Sequence, residues 1–245
     1  MLERRIEEAS LNSWPALQQM LFDGWAMRFS EGYTKRANSI TPLYPSLLPD
    51  QEKIVACENL YHKKQLPTIF RLLSFSPASH ELDALLAQRQ YQRIDHTRIL
   101  TTELASGPTT HTPMLHNVPL AEWLALFCQF KQDPIEHHHS HHEMLKRVIP
   151  DFSCAVLFHA GSPVACGLGV LENAVFGLFD IVTDPQQRNK GYGTQLVIAM
   201  LEQARQNGAR HAYLQVVNTN QVAHHLYTKL GFCELYYYWY RIQSL

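Results

Sequence analysis

The stretch RNKGYGTQL, Arg188 to Leu196, sets Gly191 and Gly193 one residue apart directly behind a basic run. Glycines at a strand-to-helix turn remove side chains that would block an anion, turn successive backbone N–H groups inward and add the positive end of a helix. Phosphate is the natural guest of such a turn. A dinucleotide-binding loop would need a third glycine where Leu196 stands, and the Gly, Lys, Ser/Thr order of a nucleoside triphosphate loop is absent. A second cluster, EHHHSHHE from Glu136 to Glu143, packs five histidines into six residues. On a helix, His137 and His141, or His138 and His142, would share a face in the manner of zinc ligands. No third ligand stands at an evident spacing, so a solvated helix start without metal is the expectation.

Regular elements must hold these residues. Leu196, Val197, Met200, Leu201 and Ala204 recur at helical spacing after the loop, Gly208 stops that helix, and HAYLQVV then alternates as a strand. Asn220 heads a second helix with Val222, Ala223, Leu226 and Leu230 on its apolar face, closed by LGF before an aromatic strand from Leu235 to Tyr240. Upstream of the loop, helices are expected near Leu120 to Phe130 and Glu136 to Val148. Strands are expected in FSCAVLFHAG, SPVACGLGVLE and VFGLFDIVT. Nearer the N-terminus, DGWAMRFSEGYTKRANSITP reads as a hairpin turning at Glu31 and Gly32.

The order of the later elements has an earlier echo. Leu72 to Ile99 lies on Tyr213 to Tyr240 at an offset of 141, with Leu73 on Leu214, Leu85 on Leu226 and Tyr91 on Phe232. Carried upstream, the same offset sets PDQEKIVACENLYHKKQLPTIF opposite the glycine loop and its helix, and that first copy has no glycine. Between the copies ASGPTTHTP, Ala105 to Pro113, reads as a linker. Two domains are therefore expected, 1–107 and 114–245, in an α/β (α+β) fold of mixed, mostly antiparallel sheets flanked by helices.

Composition narrows the partners. A formal charge of −1 gives no global basic field for nucleic acid or an anionic membrane. No apolar run approaches the ~20 residues of a spanning helix, and the N-terminus lacks a signal-like apolar stretch, which suggests a cytoplasmic protein. The five cysteines have no CxxC spacing and sit mostly in apolar contexts, as reduced core thiols do.

The loop's R-x-x-G-x-G form, Arg188, Gly191 and Gly193, is that of acyl-coenzyme A transferases. Together, VTDPQQRNKGYGTQLV and NQVAHHLYTKLGF resemble the pyrophosphate loop and the N-x-x-A-x-x-L-Y-x-K-x-G-F helix of the GNAT superfamily of N-acetyltransferases. The match runs from about Val164 to Arg241, and the first domain resembles a degenerate copy, as in tandem members. The resemblance implies transfer of acetyl from acetyl-CoA to a primary amine by direct attack, without metal. It implies that backbone N–H groups of Arg188, Asn189, Lys190, Gly191, Tyr192, Gly193 and Thr194 cradle the pyrophosphate, and that Asn220 contacts the coenzyme. It further implies that the N–H groups of Ile181, Val182 and Thr183 meet the tetrahedral oxygen and that Tyr227 protonates the leaving thiolate. An ammonium with a pKa near ~10.4 must shed its proton before attack, and Asp180, in the strand GLFDIVT, is the candidate base. An acyl-CoA-binding sensor or scaffold without turnover would carry the same loop. The acceptor and the oligomeric state have no signature in the sequence.

Overall fold

A computed structural model describes residues 1–104 and 113–243. The expected linker therefore lies, except for Pro113, outside the described residues. In chain order the elements are α1 (Leu2–Ser13), β1 (Gln18–Phe22), β2 (Trp25–Phe29), β3 (Ile40–Pro42), α2 (Asp50–Lys63), β4 (Thr68–Leu73), α3 (Pro77–Gln88) and β5 (Gln92–Glu103). They continue as β6 (Leu115–Asn117), α4 (Leu120–Lys131), α5 (His139–Leu145), β7 (Asp151–His159), β8 (Ser162–Glu172), β9 (Val175–Thr183), α6 (Tyr192–Gln206), β10 (His211–Val217), α7 (Gln221–Lys229) and β11 (Cys233–Gln243).

The chain gathers into two units that do not follow its linear halves. Met1–Trp14, Leu100–Gln215 and Gln221–Cys233 form the loop-bearing unit, and Pro15–Ile99, Val216–Asn220 and Glu234–Leu245 form the other. A division at 107 and 114 would assign the first helix and the last strand each to the opposite group.

In the loop-bearing unit β6, β7, β8 and β9 form an antiparallel run, and β10 joins β9 in parallel. Of the apolar stripe read from the sequence, Leu196, Val197, Met200 and Ala204 of α6 are buried and Leu201 is half-buried, and α6 packs on β8 and β9. Gly167 on β8 leaves room for this, since a Cβ there would collide with Ile181 and stand 3.3 Å from the Met200 sulfur. α4 buries Trp123, Leu124, Phe127, Cys128 and Phe130 and packs on β7, β8 and β9. α1 packs on β9, where the rings of Trp14 and Phe179 stack with centroids 6.0 Å apart.

The other unit holds a mixed sheet in the order β1-β2-β3-β4-β11-β5. Its core gathers Trp25, Met27, Ile54, Tyr61, Phe70, Leu82 and Tyr91 around Trp239, which comes from the C-terminal strand. Arg241 fixes that strand to α3, donating from Nε to Asp83 Oδ1 at 2.8 Å and from Nη2 to Oδ2 at 2.9 Å. The expected hairpin needs correction. β1 and β2 turn tightly at Asp23 and Gly24, both with positive φ, whereas Glu31 and Gly32 lie in the long connection between β2 and β3. The Gly24 carbonyl oxygen accepts from Leu43 and Tyr44 N–H at 3.1 and 3.0 Å, and there is no room for a Cβ.

The internal echo holds at the level of elements. Displaced by 141, α2, β4, α3 and β5 fall on α6, β10, α7 and β11, and α2 begins after Pro49 where α6 begins after Gly191.

Candidate active site

Three elements of the loop-bearing unit converge on Gly193. A Cβ on that residue would stand 3.1 Å from Thr183 Oγ1 at the end of β9 and 4.0 Å from Leu226 Cδ1 on α7. The loop before it turns through left-handed backbone at Asn189 (φ 61°) and Gly191 (φ 82°), on either side of Lys190. Alternating handedness of this kind points successive N–H groups into one concavity, and Gly191 then caps α6. Asp184 braces the approach, accepting from Gln186 N–H at 3.0 Å while its own N–H donates to Val164 O at 3.0 Å. Arg188, Asn189 and Lys190 are exposed, and Lys190 Nζ reaches Gln187 Oε1 at 2.8 Å. Tyr192 turns inward against His159, with ring centroids 5.1 Å apart. A helix start with no side chain at Gly193 and left-handed backbone at Asn189 and Gly191 is a turn of the kind that takes an anion such as a pyrophosphate.

The strand beside the loop is interrupted twice. β9 and β10 pair from Val175↔His211 only as far as Gly177↔Tyr213, although β9 runs on to Thr183. Its last residues, including Ile181, Val182 and Thr183, thus leave a strand edge unpaired on the β10 side. On the other side the β8 register passes from Leu168↔Phe179 to Cys166↔Val182, so that Asp180 and Ile181 stand opposite the single Gly167. This is a β-bulge, and bulges re-aim side chains. Asp180 sits at φ 49°, a region that aspartate enters more readily than most residues.

The bulge delivers Asp180 to His141. Asp180 Oδ2 lies 3.0 Å from His141 Nε2. His141 is completely buried, and Asp180 Oδ2 is sealed from solvent although the aspartate side chain as a whole is 23% exposed. The exposure therefore falls on its remaining atoms, Oδ1 among them. The ring of His141 is turned out of line with Oδ2, so the contact is one of distance more than of hydrogen-bond direction. Aromatic groups enclose it: Trp14, Trp123, Phe127 and His138 have ring centroids 5.1, 6.3, 5.6 and 5.7 Å from that of His141.

The histidine cluster is accordingly solvated on one face only: His137 and His139 are exposed, whereas His138 and His141 are buried. Its first turn, Ile135–His138, is a 3-10 helix, and α5 follows it as far as Leu145. His138, His141, Met144 and Leu145 point into the protein, and His138 Nε2 stands 3.1 Å from Asp133 Oδ2. Pairing histidines four apart, as for zinc, missed the buried face, which runs at spacings of three and then three or four. Among the described residues no group of three His, Cys, Asp or Glu side chains is arranged to hold a metal ion.

Tyr227 occupies the buried side of α7, one residue after Leu226, and packs edge-on against Phe232. Burial pushes its phenol up to about 12, so it stays protonated at neutral pH. Asn220 directly precedes α7 and donates its N–H to Val217 O at 2.9 Å; it groups with the other unit. The structure thus brings the loop, the end of β9 and α7 together, and sets Asp180 on the same strand a few residues from Thr183.

Comparison with known proteins agrees with this arrangement. Residues 3–241 match the family model described as "Probable histone acetyltransferase Rv0428c C-terminal". The chain is 30% identical over 246 residues to the uncharacterized N-acetyltransferase YobR of Bacillus subtilis (strain 168), covering 98% of each chain. Among solved structures it is similar in fold to a GCN5-related N-acetyltransferase from Kribbella flavida, with a TM-score of 0.70, 15% identity, and coverage of 98% of this chain and 95% of that one. A tandem GNAT protein from the clavulanic acid biosynthesis pathway is similar with a TM-score of 0.61 and 12% identity, over 84% of this chain and 74% of that one. With the family match spanning nearly the whole chain and the Bacillus relative matching end to end, the chain belongs to the GNAT N-acetyltransferases, in the family described by the Rv0428c C-terminal region.

Proposed function

We propose that the chain transfers acetyl from acetyl-CoA to a primary amine by direct attack, through a tetrahedral intermediate. The observation that carries this reading is the convergence at Gly193 of a side-chain-free helix start, the unpaired end of β9 and the tyrosine-bearing helix α7.

In this reading the N–H groups from Arg188 to Thr194 hold the coenzyme pyrophosphate. The backbone of Ile181, Val182 and Thr183, released from β10, faces the thioester and donates to the oxygen that gains charge. Asp180 Oδ1, on the exposed side of the carboxylate, takes the ammonium proton. Tyr227 donates to the departing sulfur. A thiol such as that of coenzyme A has a pKa near ~8.5, so transfer of a proton from a phenol at about 12 runs uphill by roughly 5 kcal/mol. The phenol therefore contributes first as a hydrogen-bond donor to the developing thiolate. Coenzyme binding belongs to the C-terminal repeat, because α2 of the first repeat starts at Pro49 and Asp50 with no glycine before it.

The test is release of free coenzyme A thiol from acetyl-CoA with lysine, spermidine, kanamycin and a peptide with a free amino terminus. Turnover of at least one amine, lost by about 100-fold or more in Asp180→Asn, supports the reading. Saturable acetyl-CoA binding without transfer to any of them would favour a sensor instead.

A further inference from the structure

The contact between Asp180 and His141 has no place in the chemistry described so far. We propose that His141 is the positioning residue of the general base: from inside the protein it holds Oδ2 of Asp180 and so turns Oδ1 toward the acceptor amine. The inference rests on the reading of Asp180 as the base.

Three observations carry it. Nε2 and Oδ2 are 3.0 Å apart, with the imidazole completely buried and Oδ2 closed to solvent. Asp180 reaches this place only through the bulge opposite Gly167 and left-handed backbone at φ 49°. A strand that kept its alternation would not aim the carboxylate this way. Finally, the rings of Trp14, Trp123 and Phe127 wall the imidazole on the α1 and α4 sides and limit its rotation. A carboxylate with one oxygen inside and one outside is suited to accept a proton on the outer oxygen while the inner one stays held. A modest turn of the ring brings Nε2–H into line, as catalytic contacts often tighten only when substrate binds.

Besides Asp180 on β9, the titratable group that faces the imidazole is His138 one turn earlier, itself against Asp133.

Two substitutions separate positioning from packing. Using an amine that the wild-type protein acetylates, kcat and KM are measured for His141→Gln and His141→Phe, with acetyl-CoA thermal shift as the check on folding. Gln keeps an N–H donor: kcat is expected within about 5-fold of wild type. Phe keeps ring volume and has no donor: kcat is expected to fall on the order of 10- to 100-fold with little change in KM. Equal effects of Gln and Phe on kcat, or a loss that falls on KM instead of kcat, would overturn the inference while leaving acetyl transfer intact. Should the Phe variant not fold, His141→Leu, which also has no donor, takes its place in the comparison with Gln. Wild-type protein that acetylates no amine would overturn this inference together with the function it rests on.

Discussion

Replacing Tyr227 with phenylalanine tests the burial of that side chain and its role in a single variant. The phenol is buried against Phe232, and burial pushes it up to about 12. Its value in the unfolded chain is near ~10, so the displacement corresponds to about 3 kcal/mol. Because the folded pKa is raised, that stability is fully present below pH 10 and is lost as pH rises from about 10 to 12. Phenylalanine has no proton to lose. The unfolding free energy of the variant should therefore lie within about 1 kcal/mol of wild type at pH 7 and gain on it by about 3 kcal/mol between pH 10 and 12. In catalysis the variant loses one hydrogen bond to a developing charge, worth about 1.5–3 kcal/mol, or roughly a 10- to 150-fold fall in kcat. Urea melts across pH measure the first quantity and coenzyme A release under saturating acetyl-CoA the second. Stability curves that run parallel from pH 7 to 12 would refute the burial argument. A kcat within 3-fold of wild type would refute the donor role.

Two other substitutions follow from the same geometry. Gly191→Ala places a Cβ at φ 82°, with nothing nearer than Gln195 Nε2 at 4.0 Å, so its cost is conformational: about 1–2 kcal/mol of stability and a weaker grip on acetyl-CoA, both largely restored in Gly191→Asn. Among the thiols, burial pushes Cys57 and Cys154 up to about 12 and also raises Cys128 and Cys166, whereas Cys233 is exposed. A thiol reagent should titrate one fast equivalent in the folded protein, absent from Cys233→Ser.

Much of the site was legible because its signals are local. The span Val175–Thr183 was read as a strand from VFGLFDIVT, and α6 from its apolar stripe and the stop at Gly208, which has φ 91°. The offset of 141 exposed a repeat of elements because apolar rhythm survives when identities do not. Other features depend on partners distant in the chain. Nothing in LFDIV announces a bulge, since the register slip is set by how β8 and β9 pair across Gly167. His141 read as polar and solvated because its cover comes from Trp14 at the end of α1 and from Trp123 and Phe127 on α4, all more than ten residues away. The grouping of Leu2–Ser13 with residues after 100 rests on contacts such as Asn12 Nδ2 donating to Glu172 Oε1 at 2.9 Å, which no local pattern encodes. The same is true of Trp239, a C-terminal residue in the core with Phe70 and Leu82.

Calorimetric titration of acetyl-CoA into wild-type protein and into Gly193→Val is the most direct test of whether the turn at the start of α6 seats the diphosphate. A side chain at that position would begin 3.1 Å from Thr183 Oγ1, inside the space where the loop meets β9. Saturable binding at one site in the wild type, lost in a variant that retains its fold, is the expected result. No heat of binding in the wild type, or equal affinity in the two proteins, would contradict it.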